Sequence, residues 1–309
     1  MDMGNEELQQ HLLVIAQTNI EEQYSRKHID QRIRDSILGS DVMCNKIDQG
    51  VVLLRAYMDK QYYESKMLRI EQLKQLDLEQ LVIEVFTGIA HCLQPQLFTS
   101  VAAQMAGRLR FSDKTEAITT VAEVMAMLCQ TDAFDICKAD RMSSLTVVSC
   151  IPLEKELIKF IEDSQYLPPM VCTPAVLENN YSSGYLTHND SLILGNGNHH
   201  DGDICLDVLN LMNNTKLRLN KEFIDSVEET PTFELDTQDK AEQWAKFKAQ
   251  SDVFYSLLNQ YSNEFYLTHK VDKRGRIYAQ GYHISTQGNA YKKASIELAH
   301  KEVVTGVPS

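Results

Sequence analysis

Ile47, Val51, Leu54, Met58 and Tyr62 follow one another at steps of four, three, four and four, one apolar stripe along a long helix. Residues 78–91 and 115–128 repeat that style, with Pro95 and the Ser112-Asp113 pair as breaks. From Glu6 to about Gln130 the pattern is therefore helical, and the methionines and tyrosines on its stripes read as core packing. Beyond Ser143 the texture changes. Residues 145–151 (LTVVSCI) are strand-like, a short helix is predicted over 153–163, and 183–186 and 192–194 read as short strands. A helix from about Ile204 to Val227 sets Val208, Met212, Thr215, Leu219 and Phe223 on one side, and the acidic connector 228–232 ends it. A further helix over 237–260 turns Trp244, Phe247, Phe254 and Leu257 inward. The pattern predicts an α+β fold, predominantly α-helical, with a few short strands. Its two parts are a helical domain over 1–142 and an α+β segment over 143–309.

Composition narrows the class. With 43% hydrophobic and 24% charged residues, the chain reads as a globular protein. No apolar run approaches the ~20 residues of a membrane helix. Glu6, Glu7, Gln9 and Gln10 lack the basic-then-apolar layout of a signal peptide. Seven cysteines without a C-x-x-C pair predict reduced thiols filling core sites. The formal net charge of -13 argues against a free-standing DNA-coating protein, because whole-chain repulsion leaves only local contacts to a polyanion.

Against that acidic background, Asp272-Lys273-Arg274-Gly275-Arg276 gathers three cations and a glycine. Lys270, Lys292 and Lys293 add to them, and only Asp272 and Glu297 oppose. Phe265, Tyr266, Leu267 and Val271 are β-prone, and Ile277, Tyr278 and Ala279 resume the run beyond the cluster. Gln287-Gly288-Asn289 signals a turn, with Asn289 capping a helix through Ala294, Ile296 and Leu298. Gly275 serves either a close backbone approach or a positive φ. Guanidinium forks match phosphate oxygens, and Asp272 is placed to hold one of them. The plain alternative is a solvated hairpin whose basic turn balances acidic neighbours.

This segment resembles the T/D-x-x-G-R motif of single-subunit RNA polymerases, the phage and mitochondrial type. The resemblance continues in order through Ile277-Tyr278-Ala279, Gln287-Gly288-Asn289 and the helix bearing Lys292 and Lys293. Lys273 stands where phage relatives often carry an aromatic, and Thr286 where they often carry proline. The Pro-rich stretch 167–174 resembles the family's P-P-x-x-W region, with Leu177 in place of the aromatic. Residues 214–221 resemble a family helix packed ahead of the motif.

The resemblance implies template-strand or RNA–DNA hybrid contact by Asp272, Arg274, Gly275 and Arg276, with Lys273 and Tyr278 beside them. Lys216, Arg218, Lys221, Lys292 and Lys293 are further candidates, against the alternative of a solvated face. In the family the two magnesium-holding aspartates and the lysine–tyrosine helix that selects the nucleotide come later than the motif. The expectation is therefore no catalytic residue in this chain. It looks most like the small subunit of the two-subunit podophage RNA polymerase, with 306–309 as a natural terminus or tail. A larger catalytic subunit would hold Mg2+, and a single-stranded-DNA-binding protein would recruit the heterodimer in the cytoplasm of the infected bacterial host.

Two other readings stay open. The loop Asn196-Gly197-Asn198-His199-His200-Asp201-Gly202-Asp203 suggests a divalent-metal site of a phosphohydrolase, or else a surface turn with Asp203 capping the next helix. A non-enzymatic transcription factor would keep the basic motif only as a nucleic-acid contact. Serine-nucleophile, P-loop and dinucleotide signatures are absent from the sequence.

Overall fold

In chain order the first elements are α1 (Met3–Tyr24), α2 (Arg26–Leu38), α3 (Asp41–Met58), α4 (Glu64–Leu73) and α5 (Leu78–Ala90). Then come β1 (Gln96–Leu97), α6 (Phe98–Met105), α7 (Lys114–Leu128), β2 (Phe134–Lys138), β3 (Leu145–Ser149) and α8 (Lys155–Asp163). The computed structural model describes residues 3–109, 111, 113–138, 144–163, 166–195, 198–300 and 306. Its fold is α+β and mostly helical, as the patterning predicts. Contacts group the chain into two compact units: Arg26–Glu162, and Met1–Ser25 together with Asp163–Ser309. The division expected near residue 142 falls outside the described residues, and β2 and β3 on either side of it pair antiparallel in one sheet.

In the unit 26–162 the predicted stripes close on one core that includes Ile33, Met43, Leu54, Phe86, Val124 and Leu128. Side chains cap the starts of three of these helices. Ser40 accepts from Met43 N–H, Asp77 from Gln80 N–H and Asp113 from Glu116 N–H. A Cβ on Gly50 would stand 2.9 Å from a Leu128 methyl and 3.0 Å from a Val82 methyl, so glycine is what lets α3 lie this near its neighbours. The small sheet β1-β3-β2 closes one side and buries Phe134 and Val147.

The other unit continues with α9 (Leu206–Asn213), β4 (Leu217–Leu219), α10 (Lys221–Ser226) and α11 (Gln238–Gln260). It ends with β5 (Glu264–Phe265), β6 (His269–Val271), β7 (Ile277–Ala279), α12 (Ala290–Ala294) and β8 (Ile296–Leu298). Phe254, Leu258, Phe265 and Leu267 form its main core with Ile20 of α1. A second cluster of Leu177, Leu192, Ile193, Leu209 and Val271 lies under the β6–β7 hairpin. Buried Glu21 of α1 accepts the N–H groups of Leu186 (3.0 Å) and Thr187 (2.8 Å), and Gln17 accepts from Val171 N–H at 2.9 Å.

Four predicted elements differ. The single helix over 204–227 is two short helices around a strand. Leu217 and Leu219 bury alternate positions of β4, and Asn220 caps α10 by accepting from Phe223 N–H. The helix expected to run on through Leu298 ends at Ala294, because Ile296–Leu298 pairs with β4 as β8. Residues 183–186 are no strand: Gly184 has φ +76° and Ser183 Oγ accepts from Tyr185 N–H, which bends the chain. In 192–194, Ile193 makes one isolated parallel bridge to Val271. Asp203 is not the cap of α9, whose N-cap position is Cys205 without a side-chain hydrogen bond. Among the described residues no helix is long and apolar enough to cross a membrane.

Candidate nucleic-acid interface

Strands β6 and β7 are joined by Asp272–Arg276, a tight hairpin loop. Asp272 N–H donates to Arg276 O at 2.9 Å and Gly275 N–H to Asp272 O at 2.9 Å. Gly275 has φ +79°, and a Cβ there would meet nothing within 4 Å. Its glycine therefore answers to backbone conformation rather than to a close neighbour, as a turn residue at positive φ requires.

Asp272 is the organiser. Its Oδ1 accepts the backbone N–H groups of Arg274 (2.9 Å) and Arg276 (3.0 Å). Its Oδ2 accepts from Arg274 Nε at 3.3 Å and from Arg276 Nε at 2.8 Å, with Tyr278 O–H at 3.4 Å. The Arg276 guanidinium also rests 5.8 Å from the centre of the Tyr278 ring. Hydrogen bonds from the Arg276 backbone and then its side chain hold the Asp272 carboxyl below its ordinary range. The same carboxylate raises the Arg276 pKa. The two arginine side chains are nonetheless 72% and 53% exposed, so each is latched on one edge and open on the rest. Two oriented forks with exposed donors suit phosphate oxygens.

Support comes from a residue read only as a turn signal. Gln287 Oε1 accepts from Ala279 N–H at 3.0 Å and its Nε2 donates to Ile277 O at 3.0 Å, so one side chain pairs with β7 as a strand would. Asn289 caps α12 by accepting from Lys292 N–H.

The remaining candidates sit in different settings. Lys216 pairs with Glu264 at 2.9 Å and Arg218 with Glu297 at 2.6 Å, both across the sheet β5-β4-β8. Lys221 is exposed at the first turn of α10, and Lys293 is exposed on α12. Lys292 lies over the rings of Phe247 (5.0 Å) and Tyr282 (5.1 Å) and donates to Tyr282 O, and burial lowers its pKa. Lys270 pairs with Asp190.

The structure also brings together two motifs that are far apart in sequence. His199, His200 and Asp203 line one cleft of about 470 Å³ together with Asp272, Lys273 and Gly275. Among the described residues no group of three or more His, Cys, Asp or Glu side chains is arranged to hold a metal ion. No spacing rule links these motifs, which is why the sequence conceals the cleft.

No family model matches the chain. A curated relative named probable DNA-directed RNA polymerase, from Gelasinospora sp. (strain G114), is 26% identical over 156 residues. This chain is distantly similar to an RNA polymerase. The match takes in 47% of this chain but only 18% of that relative's length, so it concerns a small part of the larger protein.

Proposed function

We propose that the chain is a subunit of a heterodimeric, phage-type DNA-directed RNA polymerase, and that its 272–276 hairpin holds the template strand or the RNA–DNA hybrid. The observation that carries this reading is the Asp272 latch, which presents Arg274 and Arg276 side by side with their outer edges open. Because the forks are oriented before anything binds, less side-chain freedom is lost on meeting a phosphate. The distant relative named probable DNA-directed RNA polymerase supports the coarser part of this reading, a polymerase-related role.

In this reading the chemistry of nucleotidyl transfer, with its Mg2+, belongs to a larger catalytic subunit that carries two aspartates and the nucleotide-selecting lysine–tyrosine helix. This chain's residues bind and position. Arg274 and Arg276 neutralise backbone charge, Lys273 adds a third cation and Tyr278 backs Arg276. The net charge of -13 makes unaided promoter binding weak, so a single-stranded-DNA-binding protein delivers the enzyme to opened template in the host cytoplasm.

Affinity purification of the full chain from infected cells, with identification of the co-purifying chain, tests this. The expected companion bears the two aspartates and the lysine–tyrosine helix. Arg276→Ala should slow RNA elongation by that complex while leaving its assembly intact. Recovery of the chain alone, still binding nucleic acid, would instead support the transcription-factor reading.

A further inference from the structure

The cleft beside the hairpin extends the proposed interface, and its walls are held at fixed spacing. Val271 N–H donates to Leu192 O at 2.9 Å and Leu194 N–H to Val271 O at 2.8 Å, which ties the stem of the histidine loop to β6 one residue before Asp272. The loop is fastened from behind as well. Asn180 Nδ2 donates to both His200 O and Gly202 O at 2.7 Å, and Tyr181 O–H to Asp201 Oδ1 at 2.8 Å.

The lining mixes three chemistries: the apolar Ile193, Ile204 and Val271, the imidazoles of His199 and His200, and the charged Lys273, Asp203 and Asp272. Lys273 makes no ion pair among the described residues, because Asp272 is directed at Arg274 and Arg276. A volume of about 470 Å³ lies within the usual range for small-ligand sites, about 300–1,000 Å³. The apolar side chains and imidazoles suit a flat ring, Asp203 suits an amino group on its edge, and Lys273 suits a phosphate. One nucleotide carries all three features.

We infer that this cleft receives a single unpaired nucleotide of the strand gripped by the hairpin, its base against the apolar side chains and histidines and its phosphate on Lys273. The inference rests on the reading of the hairpin as a nucleic-acid contact. A base paired in a duplex is covered by its neighbours and cannot enter, so the cleft distinguishes unpaired from paired positions on the held strand.

Two fluorescent RNA–DNA hybrids test it, identical except that one ends in a single unpaired nucleotide and the other in an abasic unit at that position. Anisotropy titrations use the full chain with any subunit that accompanies it. The wild type should bind the nucleotide-bearing probe about tenfold more tightly, since burying one stacked base is worth about 1.4 kcal/mol or more. The double variant His199→Ala/His200→Ala should bring the ratio of the two affinities toward one. Arg276→Ala should weaken both probes and keep their ratio. Because the readout is a ratio within one preparation, partial misfolding lowers both affinities and does not imitate the expected result. Equal affinity for the two probes in the wild type overturns the cleft and spares the hairpin, whereas absence of binding to either overturns both.

Discussion

Asp272 fixes two arginines with one carboxylate, and protonation is the way to open that latch. Its carboxyl titrates below the ordinary 3.8, chiefly because the Arg276 backbone N–H and then the Arg276 side chain favour the charged form. A depressed carboxyl pKa makes the contribution complete above the ordinary value and lost only as pH falls through the lower one. NMR signals of the Arg274 and Arg276 amides should therefore stay unchanged from about pH 7 to about pH 5. A transition within that interval contradicts the latch. His283 also loses its contribution as pH falls, but because its neutral rather than its charged form is favoured. It is buried among Phe247, Phe254 and Tyr282, with Nδ1 at 2.8 Å from Ser251 Oγ, and burial and then Lys292 lower its pKa from 6.5 to about 4. The unfolded chain takes up this proton first, so stability falls as pH drops from about 6.5 to about 4, by on the order of 2–3 kcal/mol. Chemical denaturation across that window should show the loss, and His283→Phe should reduce it.

At the scale of elements, α1 depends on a charge that no local pattern reveals. Glu21 is fully buried on α1, and its carboxylate accepts from the backbone of residues 186 and 187. Glu21→Ala leaves those donors buried without an acceptor, at a cost of about 3 kcal/mol, and Glu21→Gln costs less. Limited proteolysis should then cut ahead of Ser25 sooner in the alanine variant, and equal cutting rates would show that α1 is held by its apolar face alone. The elements misread from sequence share one cause. Residues 204–227 keep a helical spacing of apolar side chains, yet Leu217 and Leu219 also fit an alternating strand, and pairing with β5 and β8 decides between them. The hairpin was legible because Gly275 and the cations around it mark a turn whatever packs nearby.

For the whole molecule, charge separates what binds from what repels. On a chain of net charge -13, Lys216, Arg218 and Lys270 each pair with an acid of their own, whereas at the hairpin apex Lys273, Arg274 and Arg276 stand as three cations to the one carboxylate of Asp272. If those three meet phosphates, the logarithm of affinity for duplex or hybrid should fall against the logarithm of salt with a slope of roughly -2 to -3. Titrations at several salt concentrations measure it. A much steeper slope means that a second basic surface takes part, and a flat one that phosphates are not the ligand.

The sequence by itself determined the helical first half, the break at Asp113, the cap at Asn289 and the basic turn around Gly275. Those features depend on residues a few positions apart, where spacing and side-chain chemistry suffice. Only the tertiary structure decided that α1 joins the later half, that 217–219 and 296–298 are paired strands, and that a histidine loop lines the hairpin's cleft. Each of these depends on partners many tens of residues apart, brought together by burial and backbone pairing that leave no periodic trace in the chain.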